Sequence, residues 1–274
     1  MRANGGTVEY VLGHSAQELD RLEHQSQLFA QETRALLSRA GLKPGMKVLD
    51  VGCGVGDVAM IAAEMVGPEG SVLGIDRASQ ALSVARARAE HAGHASLGFE
   101  EADIFAYDPT TKFDAAIGRF ILMHVADPVG VLKRLTTFLN PGGAVAFLEM
   151  DIDQAGAIPQ LPLLSQCIDW ITATYRHVGV EPNMGSGLYA AFRAAGLAPN
   201  LSGTTRIESG ANAAAYGFAA QTVASLMPAM DRLGIATSSE IGIDTLAARL
   251  REASLAGDHC ILMPRLIGAW ATKA

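Results

Sequence analysis

The chain has 274 residues, 49% hydrophobic and 18% charged, with a formal net charge of −7. That length supports one large core, or a core with a cap, and the composition excludes a disordered chain. An acidic chain with no Lys/Arg cluster among aromatics argues against phosphate-backbone binding, so no nucleic-acid partner is expected.

The opening Met1-Arg-Ala-Asn-Gly-Gly6 lacks the apolar stretch of a signal peptide, and no 18-residue apolar run follows. No membrane association and a cytoplasmic location are therefore expected. Cys53, Cys167 and Cys260 have no Cys-x-x-Cys spacing. Neither a disulfide framework nor a metal site is expected.

In chain order, Tyr10 to His14 precede a helix with Ser15 as N-cap and Glu18 completing a capping box. Leu19, Leu22, Phe29, Leu36 and Leu37 keep helical spacing, and Gln25 and Ser26 interrupt their stripe. Residues 1–37 thus form a candidate lid. Either the stripe is partly exposed at Gln25, or Gln25 bonds a ligand that the helix covers. Tyr10 is likewise an aromatic lid residue or a staple against the helix.

Met46–Val51 reads as a buried strand that runs into Gly52-Cys-Gly54-Val-Gly56, with a helix over Val58–Met65 directly behind. Such a turn presents main-chain N–H groups to a ligand at a helix N-terminus. A dinucleotide fingerprint would need its third glycine at position 57, where Asp57 stands. Asp50 also precedes the glycines. Two acids there would repel a pyrophosphate and suit a ligand that is cationic and carries no phosphate.

Further on, Ser71–Asp76 predicts a second strand and Ala78–His91 a helix. The segment Phe99-Glu-Glu-Ala-Asp103-Ile104 closes a third strand, and Phe113–Gly118 is a fourth. After Arg119–Pro128 come a turn, Leu139-Asn-Pro-Gly-Gly143, and a fifth strand, Ala144–Met150. Alternating strands and helices over residues 38–151 predict a parallel sheet with right-handed crossovers.

Asp50-Val-Gly-Cys-Gly-Val-Gly56 resembles the first motif of the class I S-adenosylmethionine-dependent methyltransferases, and four further strand-end segments follow in that family's order. Over its whole length the chain looks like small-molecule methyltransferases related to the ubiquinone and menaquinone C-methyltransferases. The resemblance implies a Rossmann-like α/β fold of seven strands, mostly parallel, with an antiparallel last strand and helical cap insertions. It also implies S-adenosylmethionine as cofactor, with S-adenosylhomocysteine as product.

The residues it implies for the cofactor are Asp50, Gly52, Gly54 and Gly56 at the turn. Asp76 would take the ribose hydroxyls, with Arg77 beside it. Asp103 and the Ile104 backbone N–H would hold the adenine, and Gly118 and Arg119 would lie by the methionyl end; Tyr10 would close over the ligand. Asp76 can alternatively be a helix N-cap and Asp103 a turn residue.

Methyl transfer needs alignment in a dry cavity, and orientation alone contributes roughly 7–11 kcal/mol. A base is needed only where the acceptor loses a proton. His124, after the fourth strand, is a candidate base because a histidine titrates near neutral pH; it can equally be bonded to nearby backbone. Glu149, with Asp151 beside it, ends the fifth strand at the mouth of the sheet and can hold the acceptor, take a proton, or be a solvated acid. His177 is a further candidate.

Residues 152–274 are expected to complete the sheet. Ala157–Pro162 reads as a turn, Leu163–Val178 as a helix, and Gly185–Ala195 as a helix closed by Gly196. Leu201–Ile207 would be a sixth strand, Ala211–Leu233 and Ile243–Ala256 two helices, and Asp258–Trp270 the last strand. Insertions at about 153–184 and 210–257 carry Trp170, Met184, Tyr189, Tyr216, Phe218, Leu226, Met227 and Met230, a pool suited to an apolar acceptor pocket or simply to a cap core.

The expected activity is O-, N- or C-methylation of a small apolar or aromatic metabolite. A non-methylating reaction such as cyclisation, and a non-catalytic cofactor-binding module, are the alternatives; a nicotinamide dehydrogenase is opposed by Asp57. The number of subunits stays open.

Overall fold

A computed structural model of the chain describes residues 16–273, with side chains from residue 28 onward. Tyr10, the Ser15 cap and the Gln25 side chain lie outside that description. The first helix, α1 (Ala16–Arg39), begins beside the predicted cap.

The sheet core repeats the predicted alternation. It runs β1 (Lys47–Val51), α2 (Asp57–Val66), β2 (Ser71–Asp76), α3 (Ser79–His91), β3 (Leu97–Glu101), β4 (Phe113–Arg119), α4 (Pro128–Phe138) and β5 (Leu139–Asp151). Val48, Leu49, Ala115, Ala116, Ile117, Val145, Ala146 and Phe147 are all fully buried. Consecutive buried residues on a strand mean that both faces are covered, as in parallel sheets under helices.

Seven strands lie in the order β3-β2-β1-β4-β5-β10-β7, with β7 (Asn200–Thr204) at one edge and β10 (Arg265–Thr272) antiparallel to both its neighbours. The chain thus belongs to the Rossmann-like α/β architecture, with seven strands and one of them antiparallel. On β10, Gly268 faces Leu36 of α1, while the next residue, Ala269, stands opposite Phe147, whose ring meets Phe192 of α6 (Met184–Ala194). Adjacent strand residues point to opposite faces, so α1 and α6 cover the two sides of the sheet. Strand order reverses between β1 and β4, which opens a crevice at their carboxyl ends.

Four sequence expectations are corrected. The turn at Leu139–Gly143 lies inside β5: Leu139 pairs with Phe113, the register slips, and pairing resumes at Ala144 opposite Ala115. Asn140 Nδ2 donates to Asp114 Oδ1 (2.8 Å) across that bulge. The predicted strands Leu201–Ile207 and Asp258–Trp270 each break in two, giving β8 (Ile207–Glu208) and β9 (Cys260–Leu262) as separate pieces. The breaks face each other, with Met263 N donating to Arg206 O (2.9 Å), and Pro264 has no N–H to continue a ladder.

In place of a turn at residues 157–162, β6 (Gly156–Ile158) joins β9 and β8 in a second sheet of three strands, and α5 (Pro162–His177) follows at once. Between the two late helices, α7 (Ala214–Leu233) and α9 (Leu246–Ala256), a short α8 (Ser238–Ile241) forms on a capping box of Thr237 and Glu240.

Helices α5, α7 and α9 and the small sheet make a cap over the crevice, and α1 packs against α7. No described helix is long and apolar enough to cross a membrane.

Candidate cofactor and acceptor site

The crevice is a cavity of about 940 Å³. It begins at the Gly52–Val55 turn and the ends of β2 and β3, passes the segment after β4, and ends beneath α5, α7 and β9. That is the upper part of the size range of small-molecule pockets, roughly 300–1,000 Å³.

The three glycines of the turn have positive φ, and only part of the turn meets the cavity. Gly54 (φ +52°) faces open space, since a β-carbon there would have no atom within 4 Å. Gly52 is tied to the opposite wall: a β-carbon would lie 2.5 Å from Ile121 Cδ1. Gly56 is not part of the lining. Its α-carbon is pressed against β3 and α3, where a β-carbon would stand 2.9 Å from the Phe99 ring and 3.2 Å from Ala85 Cβ. Gly56 therefore serves packing, and its assignment to ligand contact is corrected.

Asp76 holds the turn. Its Oδ2 accepts from Gly54 N and its Oδ1 from Ala78 N, both at 2.9 Å. The capping alternative is not met, because Ala78 is the N-cap of α3 and no side chain caps it. Each oxygen keeps a further lone pair, and Asp76 lines the cavity.

Asp103 and Ile104 line the cavity next to it. Asp103 Oδ1 accepts from Phe105 N (2.9 Å), and Arg77 stands 4.0 Å from Oδ2. Arg134 pins this loop from behind by donating Nε to Ile104 O (2.8 Å).

Of the other two acids, Asp57 lines the cavity but is paired with arginines, and Asp50 does not reach it. Asp57 accepts from Arg88 (2.7 Å) and lies 3.4 Å from Arg119, which also donates to Thr33 Oγ1 on α1 at 3.0 Å. Asp50 is 1% exposed and absent from the cavity wall. Burial pushes its carboxyl up to about 8, against the pull of Arg119 and with help from Asp76 and Asp57. The argument that Asp50 and Asp57 repel phosphate is therefore replaced: Asp76 is the anion that occupies the turn.

Gly118 is also a packing residue. A β-carbon there would lie 2.5 Å from the Phe147 ring and 2.9 Å from Ile121, so the cavity contact falls to Arg119 instead.

His124 lines the cavity at the end of a single 3₁₀ turn, Leu122–His124, with its ring edge-on to Tyr175 of α5 at 6.4 Å. Glu149 is fully buried and outside the lining, so its assignment to the reacting centre is corrected. Its Oε1 accepts from Ile121 N (3.0 Å) and Leu122 N (2.7 Å), which fixes the turn that carries His124. Burial outweighs those bonds and pushes the carboxyl up to about 8.

Asp151 is buried as well, accepting from Ser186 and Arg265. His177 lies on the surface and bonds Ala173 O. From the pool of cap residues, Phe218 lines the cavity, while Tyr189 is 52% exposed and Tyr216 bonds Ser254. Thr33 and Arg88 carry no signal in the sequence, because their partners are far away in it; Phe120 and Ile121 lie in the Arg119–Pro128 segment, which by itself assigns neither a role.

A doubly wound sheet with a glycine turn, a carboxylate ending the second strand and another after the third defines a nucleoside-cofactor site of the methyltransferase kind. The chain belongs to the class I S-adenosylmethionine-dependent methyltransferases: the family model described as a methyltransferase domain matches residues 42–178.

Among its relatives, 2-phytyl-1,4-naphtoquinone methyltransferase of Synechococcus elongatus is 37% identical over 135 residues, covering 48% of this chain and 55% of that enzyme. Aklanonic acid methyltransferase of a Streptomyces species is 34% identical over 157 residues, covering 57% and 70%. The match thus spans about half the length of the first of these relatives. The YcgJ protein of Bacillus subtilis shares the fold, with a TM-score of 0.59 at 16% identity over 89% of this chain and 98% of that one.

Two outcomes are expected. Asp76→Ala weakens S-adenosylhomocysteine binding at least about tenfold by calorimetry, since charge-assisted hydrogen bonds are lost. The second concerns pH. The Glu149 carboxyl holds its proton in the folded state up to about 8 and in the unfolded chain only to about 4.5. Between those values the folded state binds more protons, so raising the pH lowers stability. Urea unfolding of Glu149→Gln should show a smaller loss of stability from pH 5 to pH 8.5 than the wild type.

Proposed function

We propose that the protein transfers a methyl group from S-adenosylmethionine to a small, uncharged, aromatic or otherwise apolar metabolite. The observation that supports this most is the continuity of one cavity from Asp76 and Asp103 to a cap wall without charged side chains. Leu164, Ile168, Ile171, Phe218 and Ala219 make that wall apolar, and Tyr175 and Thr222 also belong to it. One relative named above is a methyltransferase of a naphthoquinone, which fits an uncharged aromatic acceptor.

The residues present fit the cofactor. Asp76 can accept both ribose hydroxyls through its remaining lone pairs, because Gly54 N and Ala78 N already fix its plane. Gly54 leaves space where any other residue would place a β-carbon. Asp103 and the Ile104 backbone suit the adenine edge, and Arg119, on the cavity wall at the end of β4, would lie by the methionyl end. Tyr10 and the first part of α1 are read as a lid. When bound, S-adenosylmethionine supplies an electrophilic methyl group, and the protein supplies position and dryness.

His124 is the group placed to accept a proton from a hydroxylated acceptor, and Glu149 positions it through the turn after β4. A chain with an excess of acids and a cavity of this polarity suits a small molecule and not a nucleic acid.

The test uses methyl-labelled S-adenosylmethionine with a panel of neutral phenols, hydroquinones and their carboxylated analogues. Label should enter neutral hydroxyarenes, and the carboxylated ones should be poorer acceptors. His124→Ala should lower kcat by about 10²–10⁴-fold with S-adenosylhomocysteine affinity retained. Transfer to none of the panel, or full activity of His124→Ala at every pH, contradicts the reading.

A further inference from the structure

The segment after β4 contains a residue whose backbone does not suit its side chain. Phe120 has φ +55°, in the left-handed region that bulky residues rarely enter. A non-glycine residue held there is kept by its surroundings, and such outliers gather at functional sites.

Three contacts hold it. Phe120 N donates to Leu148 O (2.9 Å), continuing the β4–β5 ladder by one bond. The next residue, Ile121, is fastened by the Glu149 carboxyl and pressed onto Gly52. The Phe120 ring meets the buried Phe29 of α1 edge-on at 5.5 Å. Phe29 meets Phe218 of α7 in the same way, at 5.7 Å. One buried ring thus braces two others that both reach the cavity wall, one from the sheet and one from the cap.

The Arg119 guanidinium carbon also lies 5.7 Å from the Phe120 ring centroid, while the contacts of Phe29 with Phe120 and Phe218 are wholly aromatic. We infer that Phe120 and Phe218 form an aromatic platform that receives the ring system of the acceptor, with Phe29 as its fixed support. The positive φ turns Phe120 toward the cavity while Ile121 closes over Gly52. This specificity device rests on the proposed methyl transfer to an aromatic acceptor and names the side chains that bind it. Ring-on-ring contact favours offset or edge-to-face geometry, which sets the plane of the acceptor relative to His124.

Binding of 2-naphthol to the S-adenosylhomocysteine complex tests this without turnover. Calorimetry is run on the wild type, Phe120→Gly and Phe218→Leu. The glycine variant suits φ +55° and removes only the ring. S-adenosylhomocysteine affinity should stay within about twofold in both variants, which shows that they fold. The dissociation constant for 2-naphthol should rise at least about tenfold in Phe120→Gly and about fivefold in Phe218→Leu.

Equal binding of 2-naphthol by the wild type and both variants overturns the platform, as does no binding by the wild type. If 2-naphthol binds as expected while no acceptor takes label, the platform stands and methyl transfer fails.

Discussion

The hydrogen bond from Gly54 N–H to the Asp76 carboxylate decides what this cleft can hold. Backbone amides in a glycine turn before a helix are an anion site by default, and phosphates usually fill it. Here the anion is part of the chain. A phosphate seeking the Gly54 N–H would have to displace that carboxylate. Two unit charges 4 Å apart cost about 4 kcal/mol at the effective dielectric of a protein surface. A ribose diol, which donates hydrogen bonds, meets the same carboxylate favourably. The second strand thus closes the turn with one side chain, whose remaining lone pairs suit the sugar of the proposed cofactor.

The wall opposite depends on a different set of buried polar groups. Phe120 in the left-handed region costs on the order of 1–3 kcal/mol, and the turn beyond it would leave amides without partners. Leu148 O and the Glu149 carboxyl meet this need. Both Asp50 and Glu149 have carboxyls pushed up to about 8, so near neutral pH they are mostly uncharged and avoid the cost of a buried anion. Asp57 is held between two arginines, Arg88 and Arg119. Arg119 and Phe120 also reach α1 through Thr33 and Phe29, so the first helix and this wall of the cavity share supports.

The succession of strands was legible because the central parallel strands, buried on both faces, read as short apolar runs. Asp76 stands at a strand end, whereas Asp103 and Arg119 are singled out by the family resemblance, and all three line the cavity. Asp50 and Asp57 could not be placed in either way: a sequence shows a charge but not the arginine that neutralises it, and Arg88 comes from another helix. Gly56 and Gly118 resemble ligand-facing glycines in a motif, yet Phe99 and Phe147 fill the space before them. The divided strands Leu201–Ile207 and Asp258–Trp270 arise from one contact between Met263 and Arg206, which no local pattern announces. Nothing in Gly-Arg-Phe-Ile signals a positive φ at Phe120.

Selection by an anion already seated in the glycine turn is tested most directly by competition. The wild-type protein is titrated with S-adenosylhomocysteine alone, then in the presence of excess NAD, ADP or inorganic phosphate. The account predicts binding of S-adenosylhomocysteine with an affinity that none of the three changes. Displacement of S-adenosylhomocysteine by NAD or ADP at comparable concentration would contradict it.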